Sequence, residues 1–400
     1  MKISNIRIER DDNFSYLKVD VQANYTTNNI LWFSVPSEYE DWLTSDVYDA
    51  FLVAAIYPAM YYNESIEIEG CVSHRLYYNV VHFVESIVGY FRDGMHFVDI
   101  KVGGYLNAKK KYHYVGTGFS AGIDSFSTFY EHYEKEDDPD YKISALFFFN
   151  VGSHGGGGEK ARKKFLERYK LLEPFPKEVG LPYIPLDSNL FDFYQDHWEF
   201  DAGQFCRSCA ILVFEAALDK YYISSDYSYK EIMFFHFNRA TTSFSELAET
   251  FTNPLLSTET LEVITDGGQH MRTEKTLLLT DYKPSHKYLN VCANHWGNLE
   301  SALNCGYCGK CVRTLVALDT LGIIDRFSNV FNLEDYYKHK FKYKCYLRLD
   351  YKSNAYIKDN VDFADTKGKP FPSYLVALLY VTAIRITHIP RKIQSLFKKK

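Results

Sequence analysis

The stretch Val115-Gly116-Thr117-Gly118-Phe119-Ser120-Ala121-Gly122-Ile123-Asp124-Ser125-Phe126 reads as a strand, a turn of small residues and the start of a helix. Backbone N–H groups at such a turn converge on one spot, and the helix dipole favours an anion there. Ala121 and Gly122 leave room for phosphate oxygens, and the hydroxyls of Ser120 and Ser125 can add hydrogen-bond donors. The stretch therefore predicts a phosphate-binding loop.

Asp124 lies inside this loop and would repel a bare phosphate. Its expected roles are to cap the helix, to orient the loop, or to hold a Mg²⁺ ion that bridges phosphate oxygens. The loop is not of the Walker type, because no Gly-Lys-Ser/Thr follows it. On these residues alone, a generic small-residue turn before a helix stays open as the alternative.

Around the loop, from about residue 112, segments of strand character alternate with segments of helical periodicity. This alternation predicts parallel βαβ units in a sheet covered on both faces, an α/β fold with a parallel doubly wound sheet. The continuous apolar run at 145–149 is typical of a fully buried parallel strand. The predicted strands are 112–117, 144–150, 182–185, 231–237, 261–264 and 288–291, and the predicted helices are 125–134, 159–172 and 205–221.

Three regions are expected along the chain: an N-terminal α+β domain at 1–111, a loop-bearing domain at 112–330, and a C-terminal extension at 331–400. In the first, apolar residues alternate at 17–21 and 66–68 as in half-buried strands, helical spacing follows at 47–60 and 73–90, and a strand is expected at 97–100. This domain carries no chemical motif, so a structural or substrate-shaping role is favoured.

Composition limits the possible partners, the expected location and the expected role of the cysteines. The 400 residues carry a net charge of −6, which argues against a surface built throughout to grip nucleic acid. The N-terminus lacks the apolar stretch of a signal peptide, so a cytoplasmic location is expected. In a reducing compartment, clustered cysteines indicate metal ligation rather than disulfides.

The C-terminal extension ends in an apolar run at 374–384 followed by basic residues. The run is about half the length that a membrane-spanning helix needs. It could lie on an acidic membrane surface or dock on a partner, but a core-packing helix with a solvated basic end is favoured. The basic residues are Arg385, Arg391, Lys392 and Lys398 to Lys400.

The segment Cys305-Gly306-Tyr307-Cys308-Gly309-Lys310-Cys311 supplies three thiolates at three-residue intervals, and Cys292 lies upstream of it. Four such ligands complete a tetrahedral Zn²⁺ site, and small residues between them permit a tight knuckle. An iron–sulfur cluster also uses closely spaced cysteines, but nothing in the sequence implies redox chemistry, so zinc is favoured. With four protein ligands the metal is expected to be structural.

The loop resembles the Ser-Gly-Gly-x-Asp-Ser signature of the PP-loop ATP pyrophosphatase superfamily, with Ala121 in place of the second-position glycine. A left-handed backbone at that position is therefore in question. Together with the four-cysteine cluster, residues from about 112 to 325 are similar to the 7-cyano-7-deazaguanine synthase family. The chain is longer than a typical synthase, so the exact substrate does not transfer.

The resemblance implies an ATP-dependent carbon–nitrogen ligase that adenylylates a carboxylate or amide, releases pyrophosphate and passes the product to ammonia or an amine. Lys275, with Arg272 beside it, matches the lysine-ended motif of such enzymes and is the expected phosphate-binding cation. Asp124, Lys275 and Arg239 are the candidate catalytic residues. Candidate ATP contacts are Ser120, Ala121, Gly122, Asp124, Ser125, Asn150, Val151, Arg272 and Lys275.

Some of these assignments have alternatives. Arg239 could hold a substrate carboxylate or form a surface ion pair, and Asn150 and Val151 could read the adenine or belong to a surface loop. Cys206 and Cys209 could serve ATP-dependent thiolation, although small core residues are favoured there.

The expected partners are a small-molecule substrate, deazapurine-like or another carboxylate, or a protein terminus. A homodimer is left open, and nucleic acid is not favoured. The chain could also be a nucleotide-binding module without catalysis in a larger assembly.

Overall fold

The computed structural model describes residues 1–154, 157–194, 203–238, 244–293 and 303–397. The chain forms two compact units. The first comprises Met1–Ser120, Thr128–Asp226 and Thr241–Gly268, and the second comprises Ala121–Ser127, Tyr227–Ala240 and Gln269–Lys400. The protein has an α/β fold with a large, mostly parallel sheet, as the alternating pattern predicts.

The first unit contains a ten-stranded sheet in the order β10-β9-β6-β7-β8-β3-β2-β1-β4-β5. Its strands are β1 Lys2–Arg10, β2 Phe14–Gln22, β3 Ile30–Pro36, β4 Ile66–Val72, β5 Ile100–Tyr105, β6 Tyr114–Gly118, β7 Ala145–Asn150, β8 Tyr183–Ser188, β9 Leu218–Ser224 and β10 Glu262–Asp266.

Strands β6 to β10 pair in parallel throughout. The chain runs outward from β6 to β7 and β8, then returns to the other side of β6 for β9 and β10. The order therefore reverses between β6 and β9. The predicted strands at 112–117, 144–150, 182–185 and 261–264 are confirmed as β6, β7, β8 and β10 with small shifts of their ends.

The N-terminal strands extend the same sheet. β3 pairs antiparallel with β8, with Phe33 opposite Ser188 and Ser34 opposite Asp187. The predicted strands around 17–21 and 66–68 are confirmed as β2 and β4, whereas the strand expected at 97–100 begins only at its last residue, as β5. One hydrophobic core joins Phe33 of β3 and Phe147 of β7 with Phe51 of helix Asp49–Tyr62.

Helices of the first unit fill the connections between strands. They are α1 Asp49–Tyr62, α2 His74–Asn79, α3 Glu85–Phe91, α5 Gly158–Leu172, α6 Pro174–Val179, α7 Leu190–Tyr194, α8 Gly203–Leu212 and α10 Phe244–Thr252. Helix α4, Ile123–Phe129, begins in the loop after β6 and continues as a π-helical turn over Tyr130–Glu134. The helices predicted at 47–60, 73–90, 125–134 and 159–172 are thereby confirmed.

The second unit is helical. Beyond the start of α4 it contains α9 Tyr229–Asn238, α11 Arg272–Leu278, α12 Lys283–Tyr288, α13 Gly309–Leu321, α14 Leu333–Leu349, α15 Ala355–Thr366 and α16 Tyr374–Phe397. Within the described ranges, no helix is both long and apolar enough to cross a membrane.

Two predicted strands are wrong. The apolar run at 231–237 belongs to α9, because the Glu231 carboxylate accepts hydrogen bonds from the N–H and hydroxyl of Ser228 at 2.7 and 2.8 Å. This Ser-x-x-Glu arrangement is a capping box that starts a helix. The strand expected at 288–291 is an irregular segment after α12, whose Pro284 occupies a favourable first-turn position.

The helix predicted at 205–221 is correct only in its first part. Helix α8 ends at Leu212, and the chain turns back into β9 from Leu218 to Ser224. The aromatic and β-branched residues Tyr221, Tyr222 and Ile223 fit a strand better than the end of a helix.

Candidate functional site

The predicted phosphate-binding loop leaves the carboxyl end of β6 and enters α4. In sheets of this order, ligands bind outside the carboxyl ends of the strands where the order reverses. β6 is one of the two strands at that reversal. The topology thus places the start of the loop at the position where an α/β sheet carries its ligand.

Ala121 adopts a left-handed backbone conformation with φ of 56°. The residue is buried, and its carbonyl oxygen accepts a 2.7 Å hydrogen bond from the N–H of Asn290. A left-handed alanine costs about 1–2 kcal/mol. The loop therefore keeps the conformation expected for glycine at this position although the residue is alanine.

The serines of the loop differ in exposure. Ser120 is exposed, whereas Ser125 is buried and its hydroxyl donates to the carbonyl oxygen of Gly122 at 3.2 Å. The N–H of Phe126 donates to the same oxygen at 3.0 Å. The hydroxyl of Ser125 thus supports the first turn of α4.

The structure brings three predicted site residues together in the second unit. One carboxylate oxygen of Asp124 accepts from Nη1 of Arg272 at 2.7 Å, and the other accepts from Nζ of Lys275 at 3.2 Å. Asp124 is 148 positions from Arg272 and 151 positions from Lys275 in the sequence. Asp124 therefore forms ion pairs with both cations, while the roles expected for it, capping the helix, orienting the loop or holding Mg²⁺, stay predictions.

Burial and the neighbouring charges shift the pKa of the Asp124 carboxyl in opposite directions. Burial alone would raise the pKa of its carboxyl, but Arg272 and Lys275 offset this and hold the pKa below its ordinary value. The positive charge of Lys310 contributes in the same direction. Asp124 is therefore an anion at neutral pH, and the Lys275 side chain is only 2% exposed.

Helix α11 presents Arg272 and Lys275, and its N-terminus is held from two sides. The Glu274 carboxylate accepts from the N–H of Met271 at 2.7 Å. Asp359 of α15 accepts from the N–H and hydroxyl of Thr273 at 2.9 and 2.7 Å. Burial raises the pKa of Asp359 to about 6. These bonds position the two cations within one turn of a rigid helix.

Arg313 is a further cation that sequence reasoning missed. Its guanidinium carbon lies 4.2 Å from the ring centre of Tyr356, and that of Arg272 lies 5.3 Å from the same ring. Tyr227 stacks on Tyr356 at 4.7 Å. Among the described residues, no oxygen accepts a hydrogen bond from the Arg313 guanidinium.

The environment of Arg313 is electrostatically unfavourable for a bare cation. Burial lowers the pKa of its guanidinium, and the neighbouring charge of Arg272 lowers it further. A guanidinium binds carboxylate and phosphate oxygens in a planar fork. The arrangement is suited to an incoming anion, and only its position two residues after Cys311 could have drawn attention to it.

Glu231 is also part of this region. It is buried, and burial raises the pKa of its carboxyl despite the hydrogen bonds from Ser228 and the charges of Lys275 and Arg272. Its Oε1 has no hydrogen-bond partner among the described residues. The signal in the sequence was the Ser-x-x-Glu capping box, which was missed when this run was assigned to a strand.

The four cysteines of the predicted metal site converge in the second unit. The sulfur atoms of Cys292, Cys305, Cys308 and Cys311 all lie within 4.8 Å of one another. The sulfurs of Cys305 and Cys311 are 3.8 Å apart, the spacing of about 3.8 Å that tetrahedral geometry gives for Zn–S bonds of about 2.3 Å. The donor set therefore fits a metal such as zinc.

The local backbone explains how the sulfurs meet. Gly306 adopts φ of 76°, which turns the chain back after Cys305. The N–H of Cys308 donates to the sulfur of Cys305 at 3.4 Å, and Cys308 precedes α13, whose first turn contains Cys311. The four-cysteine cluster is thus connected to the helix that presents Lys310 and Arg313.

Asn304 connects the segment around Cys292 to the knuckle Cys305–Cys311 by hydrogen bonds. Sequence reasoning missed this residue. Its Oδ1 accepts from the N–H groups of Val291 and Cys292 at 2.7 and 3.0 Å. Its Nδ2 donates to the carbonyl oxygens of Leu289 and Val330 at 2.8 and 3.0 Å. In the sequence, the only signal is an asparagine directly before Cys305.

Asn150 and Val151, the predicted adenine contacts, lie in the first unit at the end of β7. Nδ2 of Asn150 donates to Asp187 at 2.6 Å, and its carbonyl oxygen accepts from the hydroxyl of Ser188 at 3.1 Å. Both residues line a cleft with Arg162. Their role in reading a base stays a prediction.

Cys206 and Cys209 are both fully buried on α8. The sulfur of Cys209 donates to the carbonyl oxygen of Cys206 at 3.2 Å, and burial raises the pKa of both thiols. This environment keeps them protonated, as is typical of small core residues. Arg239 lies outside the described residues.

Comparison with known proteins adds no relative. No family model, no curated protein and no solved structure matches the chain.

Proposed function

We propose that this protein binds ATP at the loop Ser120–Ser125, cleaves it between the α and β phosphates and transfers the adenylyl group to a carboxylate or amide substrate. The observation that carries the proposal is the contact of Asp124 with Arg272 and Lys275. It brings the loop motif next to the motif that ends in Lys275, the residue for which the resemblance to PP-loop pyrophosphatases implies a phosphate-binding role.

The charge balance of the region supports an anionic ligand. Asp124 interacts electrostatically with four cationic side chains, Arg272, Lys275, Lys310 and Arg313. Asp124 neutralises one of these four positive charges, and the raised pKa of Glu231 reduces its ability to neutralise another. The excess of positive charge matches the negative charge of ATP and of the pyrophosphate that leaves.

Each group has a distinct part in the proposed reaction. The loop amides and Lys275 bind the phosphates, while Arg272 and Arg313 stabilise charge on the departing pyrophosphate. A substrate oxygen attacks the α-phosphorus, the bond to the β-phosphate oxygen breaks, and ammonia or an amine then displaces AMP. This chemistry consists mainly of positioning and charge stabilisation, so it requires no nucleophilic triad.

Two metals enter the proposal in different ways. Zinc held by the four cysteines would be structural, because four protein ligands leave it no open position. Mg²⁺ would accompany ATP, bound chiefly by phosphate oxygens with Asp124 as the nearby carboxylate. In this role Mg²⁺ neutralises phosphate charge.

The proposal is tested by incubating the purified protein with α-labelled ATP, Mg²⁺ and candidate carboxylates, including 7-carboxy-7-deazaguanine, and separating the nucleotides. AMP and pyrophosphate formed with one acceptor would support adenylylation. ADP as the product would overturn it. ATP binding without turnover for any acceptor would instead favour a nucleotide-binding module without catalysis.

Variants locate the activity within the molecule. Lys275→Gln should lower kcat/KM about one-hundredfold or more, since one charge-assisted contact to the transferring group is lost. Lys340→Gln is the matched control, because Lys340 forms a similar ion pair with Asp319 at 3.3 Å elsewhere in the second unit. Equal activities of the two variants would remove Lys275 from the site.

Arg313 is tested by direct binding of inorganic pyrophosphate and AMP in a calorimeter. Arg313→Gln should weaken pyrophosphate binding about tenfold or more and leave AMP binding nearly unchanged. Arg348→Gln is the control, because Arg348 also lies over a tyrosine ring, that of Tyr351 at 5.6 Å. Unchanged pyrophosphate affinity would assign Arg313 a structural role.

A further inference from the structure

Helix α16 exposes a broad apolar face. One side of the helix packs on α14, with Ala377 and Val381 buried against Cys345 and with Tyr380 edge-on to Phe341 at 4.9 Å. On the other side, Leu375 and Leu379 are 64% and 63% exposed. Among the residues of this helix up to 386, Tyr374, Val376, Leu378 and Ile386 are further large apolar side chains that are exposed.

This exposure differs from the core-packing helix that the sequence favours. At 100° per residue, the exposed apolar side chains cover an arc of about 200° around the helix. A partner helix covers a narrower stripe, typically little more than about 100°. An arc of this width is suited to immersion in the boundary between lipid headgroups and acyl chains, which surrounds every side chain on the exposed side.

The charge of residues 367–400 also favours contact with a lipid surface. Residues 367–400 contain eight lysines and arginines and no aspartate or glutamate, although the whole chain carries a net charge of −6. Basic residues beside an exposed apolar helix face are attracted to anionic lipid headgroups. A second copy of the chain would bring the same positive charge against this face, so self-association is disfavoured electrostatically.

We propose that helix α16 binds the surface of anionic membranes, with Leu375 and Leu379 inserted among the lipids and with the positive charge of the segment 367–400 attracted to the headgroups. This interaction is independent of the nucleotide chemistry proposed above. It would hold the protein at a membrane surface through a face that the described residues of the second unit leave exposed.

The test is co-sedimentation of the full-length protein with vesicles, comparing phosphatidylcholine alone with phosphatidylcholine containing phosphatidylserine. The wild-type protein should bind the phosphatidylserine vesicles, and raised salt should weaken the binding. Leu375→Glu with Leu379→Glu should lower the partition coefficient about tenfold or more, because two inserted side chains are lost. A triple Lys398→Gln, Lys399→Gln, Lys400→Gln variant should weaken binding without touching the apolar face.

The matched control is Phe97→Glu with Leu106→Glu, which makes the same charge change at apolar residues 65% and 49% exposed in the first unit. This variant should bind vesicles like the wild type. Failure of the wild type to bind phosphatidylserine vesicles would overturn the proposal, as would equal binding by the α16 and control variants. A wild-type dimer in light scattering that the α16 variant converts to a monomer, without vesicle binding, would assign the face to self-association instead.

Discussion

The cysteine cluster and the Asp124 cluster of the second unit are built in opposite ways. Three of the four cysteines lie within seven consecutive residues, and local turns bring their sulfurs together. Asp124 meets Arg272 and Lys275 across about 150 residues of chain. A cysteine knuckle that could hold a metal is therefore largely a local property of sequence, whereas a charged cluster of this kind exists only once the chain has folded.

The largest expected effect is removal of the metal. Cys311→Ser, or treatment with a strong chelator, should abolish stoichiometric zinc and destabilise the second unit by about 5 kcal/mol or more, because metal binding supplies folding free energy. Metal content by elemental analysis and thermal unfolding by calorimetry would show this. Cys345→Ser is the control, since Cys345 is also buried in the second unit but lies outside the cluster. Equal zinc content in both variants would remove Cys311 from the metal site.

The next effect is at Asp124. Asp124→Asn leaves Lys275, 2% exposed, without a carboxylate, and should lower the free energy of unfolding by about 3 kcal/mol. Urea unfolding measures the change, and Asp281→Asn is the control because Asp281 is 90% exposed in its ion pair with Arg326. Adding Lys275→Met to Asp124→Asn should recover part of the loss. Purely additive losses would mean that the two side chains do not depend on each other.

The pH dependence around Asp359 tests how α11 is held. Its pKa is raised from 3.8 to about 6, so the folded state binds a proton that the unfolded state has released. The stabilisation is fully present below pH 3.8 and is lost as pH rises through about 6.

Asp359→Asn should remove this slope, which amounts to a change of about 3 kcal/mol in the free energy of unfolding between these limits. Urea unfolding at a series of pH values would measure it. Asp362→Asn, on the same helix and with a side chain 44% exposed, should keep the wild-type slope. A slope that persists unchanged in Asp359→Asn would show that another group binds the proton.

The smallest effect is at Ala121. Ala121→Gly relieves the left-handed strain but adds backbone entropy to the unfolded chain and removes a buried methyl group, so stability should change by no more than about 1 kcal/mol. Under the proposed function, ATP affinity should be kept. Ala121→Val should instead lose both stability and ATP affinity, because a β-branched residue is strained at positive φ. Tolerance of valine would mean that the left-handed turn is not required.

Much of the fold was predictable because its signals are local. The apolar run of β7, the alternation in β2 and the small-residue loop after β6 each depend on a few consecutive residues. The errors at 231–237 and 288–291 arose where a capping box and a first-turn proline outweighed strand-like composition. The capping box and the first-turn proline are also local signals, so the sequence alone contains the information that corrects both errors.

The candidate site was predictable only in part. Lys275 and Arg272 follow from a motif, but Arg313 and Tyr356 become relevant only because α13 and α15 place them together. Asn304 likewise acquires its role from four hydrogen-bond partners that folding brings near. No periodicity or spacing encodes such contacts.

The sequence by itself determined most of the strands and helices, the small-residue loop after β6 and the set of cysteines that could hold a metal, because each rests on side-chain chemistry within a short segment. Only the tertiary structure decided that β3 joins β8 and extends the parallel strands into one ten-stranded sheet. It also decided that Asp124 is shared by two cations and that the apolar face of α16 stays exposed. The physical reason is that strand pairing, ion pairing and burial depend on partners distant in sequence, and folding alone brings those partners into contact.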